Sequence, residues 1–159
     1  MQTTINKDMA VGIPGTHGNG QPYFADPYIA GANVTMGGVA AIAADGTAVP
    51  YSATASTPVG IFVNPNEHVR MVLPTGPTYD AGGQIVSSGN SLVVRQGDTV
   101  AVAKKGSWYV AIPTADAANW VAGAKLVYDS TSYGLLVGVS NTVAEILLAK
   151  DGIALIRFL

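Results

Sequence analysis

The chain has 159 residues, of which 48% are hydrophobic and only 11% are charged, and its formal net charge at pH 7 is −2. This length suits one ordinary domain, and the composition excludes a disordered polymer and a basic nucleic-acid-binding protein. The sequence has no cysteine, which excludes disulfides, thiolate metal sites and cysteine nucleophiles.

The first thirty residues are predicted to form an extended N-terminal arm. Residues 9–28 hold three prolines and four glycines and follow neither the strand period nor the helix period. Long segments of this kind in a compact domain are usually functional or disordered. The arm either docks on a partner or lies on its own domain, and its candidate contact residues are Ile13, Pro14, Tyr23, Phe24 and Tyr28.

From residue 31 to residue 159 the sequence predicts a single β-rich domain. Runs rich in valine and isoleucine recur every 8 to 12 residues or so, which is typical of sandwiches and barrels. Dipeptides such as Asp45-Gly46 and Asp151-Gly152 separate the runs and favour tight hairpins. One short helix is predicted over Ala115–Val121, with Thr114 as its N-cap. The predicted strands are Gly38–Ala43, Val59–Val63, His68–Leu73, Gln84–Ser87, Ser91–Arg95, Thr99–Lys104, Trp108–Ile112, Lys125–Tyr128, Leu135–Val139, Val143–Leu148 and Ala154–Phe158.

The predicted fold class is therefore all-β, as a single β-sandwich or barrel of jelly-roll or tulip-like form that carries the N-terminal arm. No membrane segment is expected, because the longest apolar runs, Val59–Val63 and Ile153–Leu159, have the length of strands. Residues 1–10 include Lys7 and Asp8 and lack the apolar core of a secretory leader.

The sequence predicts no catalytic residue, cofactor or metal site. Its two histidines, His17 and His68, accompany no Gly-x-Ser-x-Gly motif, and its aspartates are scattered mostly among turns. The aromatic residues Trp108, Tyr109 and Trp120 fit either a sugar-stacking face or half-buried strand positions. We therefore expect a protein that is not an enzyme. The low charge favours an obligate oligomer or a component of a larger assembly, because interface cores are depleted of charge.

Three parts of the chain resemble the capsid cement, or decoration, proteins of tailed bacteriophages. The first is the arm segment Met9–Gly15, with its Gly-x-Pro-Gly pattern, and the second is Val59–Val63 after a Ser/Thr-rich turn. The third comprises Val94–Val102, Gly123–Asp129 and Gly134–Gly138.

The resemblance implies a structural virion protein on the outer surface of the head. Its expected partners are the major capsid protein, whose subunits it bridges, and itself, as a homotrimer or else a dimer. No nucleic-acid or membrane partner is expected, and assembly would take place in the host cytoplasm. The arm is expected to reach across the capsid protein, so that a chain without residues 1–28 would fold but no longer bind capsids.

Three other functions remain open at this point. One is a different virion β-domain, associated with a head fibre or a tail. Another is a carbohydrate-binding module, which requires Trp108 or Trp120 to be exposed. The third is a small hydrolase, which requires His17 or His68 in a cleft beside a serine or a carboxylate.

Overall fold

The computed structural model describes residues 14–18, 24–63, 78–79, 85–87 and 93–159. Within these ranges the chain forms short strands joined by turns, together with a 3₁₀ helix over Thr114–Asn119. The strands are β1 Phe24–Ile29, β2 Val34–Thr35, β3 Val39–Ile42, β4 Ala48–Pro50, β5 Pro58–Val63, β6 Thr78–Tyr79, β7 Ile85–Ser87, β8 Val93–Val94, β9 Thr99–Lys105, β10 Ser107–Ala111, β11 Lys125–Tyr128, β12 Leu135–Val137, β13 Ala144–Lys150 and β14 Ile153–Phe158.

Two five-stranded sheets make up most of the described fold. The first sheet has the order β1-β9-β5-β3-β4, and the second has the order β10-β14-β13-β11-β12. Neighbouring strands within each sheet are antiparallel, and β2 pairs with β8 and β6 with β7 in two small ladders. Gly106, with φ of +99°, makes the turn that takes the chain from β9 in one sheet to β10 in the other. The prediction of an all-β sandwich is confirmed.

The main core lies between the two sheets. Alternation along the strands sends Ile61 and Ala103 inward from the first sheet and Ile146 and Ile156 inward from the second. Trp108 fills the middle as the largest fully buried side chain. Its indole Nε1 donates a hydrogen bond of 2.9 Å to the carbonyl oxygen of Lys105, so the buried polar atom is satisfied.

A second apolar cluster covers the other face of the first sheet. Phe62, Val100 and Val102 belong to it and are almost completely buried. Because the neighbouring residues in β5 and β9 point into the main core, both faces of these strands are buried. This explains their unbroken apolar sequences, which an alternating pattern would not produce. The small strands and loops that cover this face contribute Ala30, Val34, Met36 and Val94.

The strand β1 lies within the part of the sequence predicted as the arm. It pairs with β9 from Ala25 opposite Ala103 to Ile29 opposite Thr99, and it forms an edge of the first sheet. The next residue, Ala30, bridges Ala48 at the opposite edge. A truncation after residue 28 would therefore remove an edge strand, so a cut that tests the arm alone has to fall before Pro14.

Several local expectations differ from the structure. The predicted helix is a 3₁₀ helix that begins at Thr114, and its N-cap is Pro113, without a capping side chain. The strands β1, β2, β4 and β6 were not predicted. The predicted strand His68–Leu73 lies outside the described residues. Among the predicted turns, Asp45-Gly46 has its glycine at φ of +83° and Asp151-Gly152 has both residues at positive φ, as tight hairpins require.

Candidate functional site

The segment Pro14–Gly18 runs alongside β10 and extends the second sheet at that edge. The Gly15 N–H donates to the carbonyl oxygen of Tyr109 at 2.7 Å, and the Tyr109 N–H donates to that of Thr16 at 3.0 Å. The Gly18 N–H donates to the carbonyl oxygen of Ser107 at 2.7 Å. This part of the predicted arm therefore lies on its own domain and is held there by main-chain hydrogen bonds.

Close packing explains why the segment is rich in glycine. Gly15 has φ of +83°, and a Cβ atom on it would lie 2.7 Å from the Cβ atom of Met36. Across the contact, a Cβ atom on Gly37 would lie 3.0 Å from the Cβ atom of Pro14. A Cβ atom on Gly18 would collide with the side chain of Leu155. The Pro14-Gly15 corner is thus fitted to the Met36-Gly37 turn, and Gly18 is fitted to β14.

The histidine in this segment packs against the core. The centroids of the His17 and Trp108 rings are 5.0 Å apart, and the rings meet edge to face. The other histidine, His68, lies outside the described residues. Within the described ranges, no group of three His, Cys, Asp or Glu side chains could hold a metal ion. Among the described residues, no helix has both the length and the hydropathy that a membrane span requires.

The three predicted contact residues that the structure describes belong to different sheets. Pro14 is half-buried at the β10 edge of the second sheet, whereas Phe24 and Tyr28 belong to β1 in the first sheet. Phe24 is 54% exposed. Tyr28 packs against the second apolar cluster. Ile13 and Tyr23 lie outside the described residues.

Tyr28 also takes part in a small polar cluster on the first sheet. The Lys104 Nζ lies 2.7 Å from a carboxylate oxygen of Asp26 and 5.9 Å from the centroid of the Tyr28 ring. The hydrogen bond to Asp26 raises the pKa of Lys104. This cluster ties β1 to β9 and is surface-exposed, so it contributes only modestly to stability.

The candidate sugar-stacking residues are mostly core residues. Trp108 and Trp120 are only 0% and 3% exposed. The Trp120 Nε1 donates to a carboxylate oxygen of Asp116 at 3.1 Å. Trp120 also lines an apolar groove of about 310 Å³ between the two sheets, beside Pro14 and Met36. The two tryptophans therefore do not present an exposed stacking face.

The outer face of the second sheet carries apolar side chains in a row. Tyr109 on β10 lies opposite Leu155 on β14, and Leu155 lies opposite Leu148 on β13. Leu148 is 47% exposed, and its neighbour Leu147 is 37% exposed. We call this surface the outer face, and it comprises Tyr109, Lys125, Glu145, Leu147, Leu148, Lys150, Ile153, Leu155 and Arg157.

A β-bulge gives the outer face its two adjacent leucines. Ile146 pairs with Ile156 and Leu148 pairs with Leu155, so Leu147 is an extra residue in β13. If β13 had no bulge, strict alternation along the same sequence would send Leu148 into the core. With it, Ile146 and Ala149 pack inward, and both leucines stay at the surface.

An ionic row lies beside the apolar row. One carboxylate oxygen of Glu145 accepts hydrogen bonds from the Lys125 Nζ at 3.0 Å and from Arg157 at 3.1 Å. The two hydrogen bonds hold the pKa of Glu145 below its ordinary value, and the bond from Lys125 has the larger effect. The ion pairs of Glu145 therefore stabilise the folded state fully at pH values above the ordinary titration range of a glutamate. This contribution is lost as the pH falls through the lowered pKa.

Sequence reasoning assigned no function to this face. The sequence feature that could have marked this face is the run Ile146-Leu147-Leu148, which breaks the alternation expected of a strand with one solvent-facing side. That run is compatible with a strand buried on both faces, as in β5 and β9, and only the pairing register distinguishes the two cases.

Comparison with known proteins shows that the chain matches one family model. The family model described as "Structural cement protein (E217 gp24/Pam3 gp6)" matches residues 1–157. The match covers both five-stranded sheets and the whole predicted arm. No curated protein matches the chain.

Proposed function

Because the chain belongs to the structural cement proteins of phages, we propose that it binds the outer surface of the head and bridges neighbouring subunits of the major capsid protein. The general role follows from the family: the protein is a structural component of the virion that associates with capsid proteins and stabilises the capsid. The match over residues 1–157 carries the proposal, because it includes the arm as well as the β domain.

The arm is the part that we propose to reach the capsid. Its contact residues are Ile13, Pro14, Tyr23, Phe24 and Tyr28. The main-chain hydrogen bonds of Pro14–Gly18 to β10 support this, because they fix the point at which the preceding thirteen residues join the domain. An arm anchored in this way can add main-chain hydrogen bonds to a neighbouring sheet.

Assembly of several copies would strengthen the attachment. We propose a homotrimer, with a dimer as the alternative, assembled in the host cytoplasm. Each copy presents one arm, so a trimer binds at three points and gains a factor of about 10²–10⁴ in avidity if all three reach their sites. A protein that binds only the assembled shell stabilises that shell by mass action.

A truncation before Pro14 tests the arm without removing a described strand. The variant lacks residues 1–13 and keeps both the Pro14–Gly18 pairing and β1. Mixed with undecorated, expanded heads, the full chain should saturate the heads and raise their rupture temperature. The truncated chain should bind more weakly by about tenfold or more, because it lacks Ile13 and the rest of the arm that precedes Pro14.

Two outcomes would count against the proposal. Full occupancy by the truncated chain would refute the role of residues 1–13 in capsid binding. Failure of the full chain to bind heads would refute capsid binding itself. Circular dichroism and light scattering on both chains serve as the control, since the truncated chain must keep the fold and the oligomeric state of the full one.

A further inference from the structure

We propose that the outer face of the second sheet is the surface that lies on the capsid, where it meets an acidic and partly apolar protein surface. This inference rests on the proposed function and adds to it the side of the domain that faces the partner.

The apolar row, which is exposed at its Leu147–Leu148 end, is the first reason. In a sandwich, the side of a sheet that faces water usually carries polar residues. Here Tyr109, Leu155 and Leu148 lie side by side across three strands, and the bulge adds Leu147. The two leucines keep 37% and 47% of their surface exposed. Apolar side chains grouped in this way are typical of the centre of an interface.

The charge of the face is the second reason. Lys125 and Arg157 lie beside the apolar row and share one oxygen of the Glu145 carboxylate, so this described group carries one more cation than carboxylate. The whole chain, by contrast, has a net charge of −2. A basic face on an acidic protein favours an acidic partner, because complementary rim charges steer association and fix its orientation.

The position of the arm is the third reason. Pro14–Gly18 runs along β10, the strand that carries Tyr109, and Gly18 packs against Leu155. The arm therefore joins the domain at the border of the outer face. A capsid subunit held by the arm would lie next to this face, and the two contacts would reinforce each other through a high effective concentration.

Charge substitutions at Leu148 test the inference. Leu148→Glu places a carboxylate in the apolar row, and Leu148→Arg places a cation of similar size there. The matched control is Val121→Glu, because Val121 follows the 3₁₀ helix, is 57% exposed and belongs neither to the outer face nor to the arm. Binding to expanded heads is measured for the full-length variants, with circular dichroism to show that each keeps the native fold.

We expect Leu148→Glu to weaken binding by about tenfold or more and Val121→Glu to change it by less than about twofold. Leu148→Arg should bind less tightly than the full chain, because it removes an apolar contact, but better than Leu148→Glu, because its charge complements an acidic surface. If Leu148→Glu does not fold, the comparison of Leu148→Arg with the full chain carries the test, and unchanged binding would overturn the inference.

The other outcomes separate this inference from the proposed function. If the full chain binds heads and Leu148→Glu binds equally well, the outer face is not the contact surface, although the proposed function stands. If Leu148→Glu lowers the mass of the free protein in light scattering, the face is covered by a second copy and the inference is wrong. If the full chain does not bind heads, both fail together.

Discussion

At the scale of single residues, Gly15 shows how closely the arm is fitted to the domain. Its φ of +83° disfavours any side chain, and a Cβ atom on it would lie only 2.7 Å from Met36. Gly46 has the same φ of +83° but has no atom within 4 Å of an added Cβ. The two positions therefore separate the cost of backbone strain from the cost of crowding.

We predict that Gly46→Ala lowers the free energy of unfolding by about 1–2 kcal/mol, which is the cost of a left-handed alanine. Gly15→Ala should lower it by about 2–4 kcal/mol, because crowding against Met36 adds to that strain. Urea denaturation measures both values. Equal losses in the two variants would mean that the Pro14–Gly18 segment is not packed against the Met36-Gly37 turn.

At the scale of elements, the bulge in β13 sets which side chains reach the outer face. Deleting Leu147 removes the extra residue and leaves Ile146 and Ala149 facing the core. We predict that this deletion changes the free energy of unfolding by less than about 1 kcal/mol. Deleting Glu145 should cost more than about 3 kcal/mol, because a one-residue slip turns inward-facing side chains outward.

Chemical denaturation of the two deletion variants tests this prediction. If the Leu147 deletion destabilised the protein as much as the Glu145 deletion, the pairing of Leu148 with Leu155 would be wrong. The Leu147 deletion also removes one exposed leucine from the outer face without changing any charge. It therefore provides a second variant with altered apolar surface for the head-binding assay.

Much of the fold could be predicted from the sequence, because alternation and turn residues are local signals. The strand over Lys125–Tyr128 was predicted with its observed bounds, and the turn at Asp151-Gly152 was placed correctly between β13 and β14. The strand β1 was missed because Asp26-Pro27 is unfavourable within a strand. Its pairing with β9, more than seventy residues away, is a tertiary effect that local sequence does not record.

The candidate site was less predictable than the fold. The choice of Phe24 and Tyr28 rested on apolarity within the arm, yet the structure places both in a sheet. The outer face depends on the register of three strands and on one bulge. Neither leaves a local signature that separates Leu147 and Leu148 from core residues, so the face could be recognised only once the strands were paired.

At the scale of the whole molecule, the N-terminal region is joined to both sheets, through Pro14–Gly18 to the second and through β1 to the first. Removal of residues 1–13 should leave the melting temperature within about 3 °C of the full chain, since the described core is kept. Removal of residues 1–28 should lower it by about 10 °C or more, because β1 and the Pro14–Gly18 pairing are both lost. Calorimetry on the two truncated chains measures the difference.

An unchanged melting temperature after removal of residues 1–28 would contradict the assignment of β1 to the sheet. Reduced head binding by that longer truncation would be uninformative about the arm, because an altered first sheet explains it equally well. The shorter truncation is therefore the variant on which the function of the arm is judged.

The way the chain covers its own sheet edges affects how readily free molecules of the protein associate with one another. Pro14–Gly18 occupies the free edge of β10, Pro27 contributes no N–H to the edge strand β1, and the Gly31 N–H donates a hydrogen bond to the carbonyl oxygen of Ala48 at the start of β4. Open edges invite strand-to-strand polymerisation, and these devices oppose it. In a weakly charged, strand-rich protein these features therefore lower the tendency to polymerise through the β10 and β1 edges.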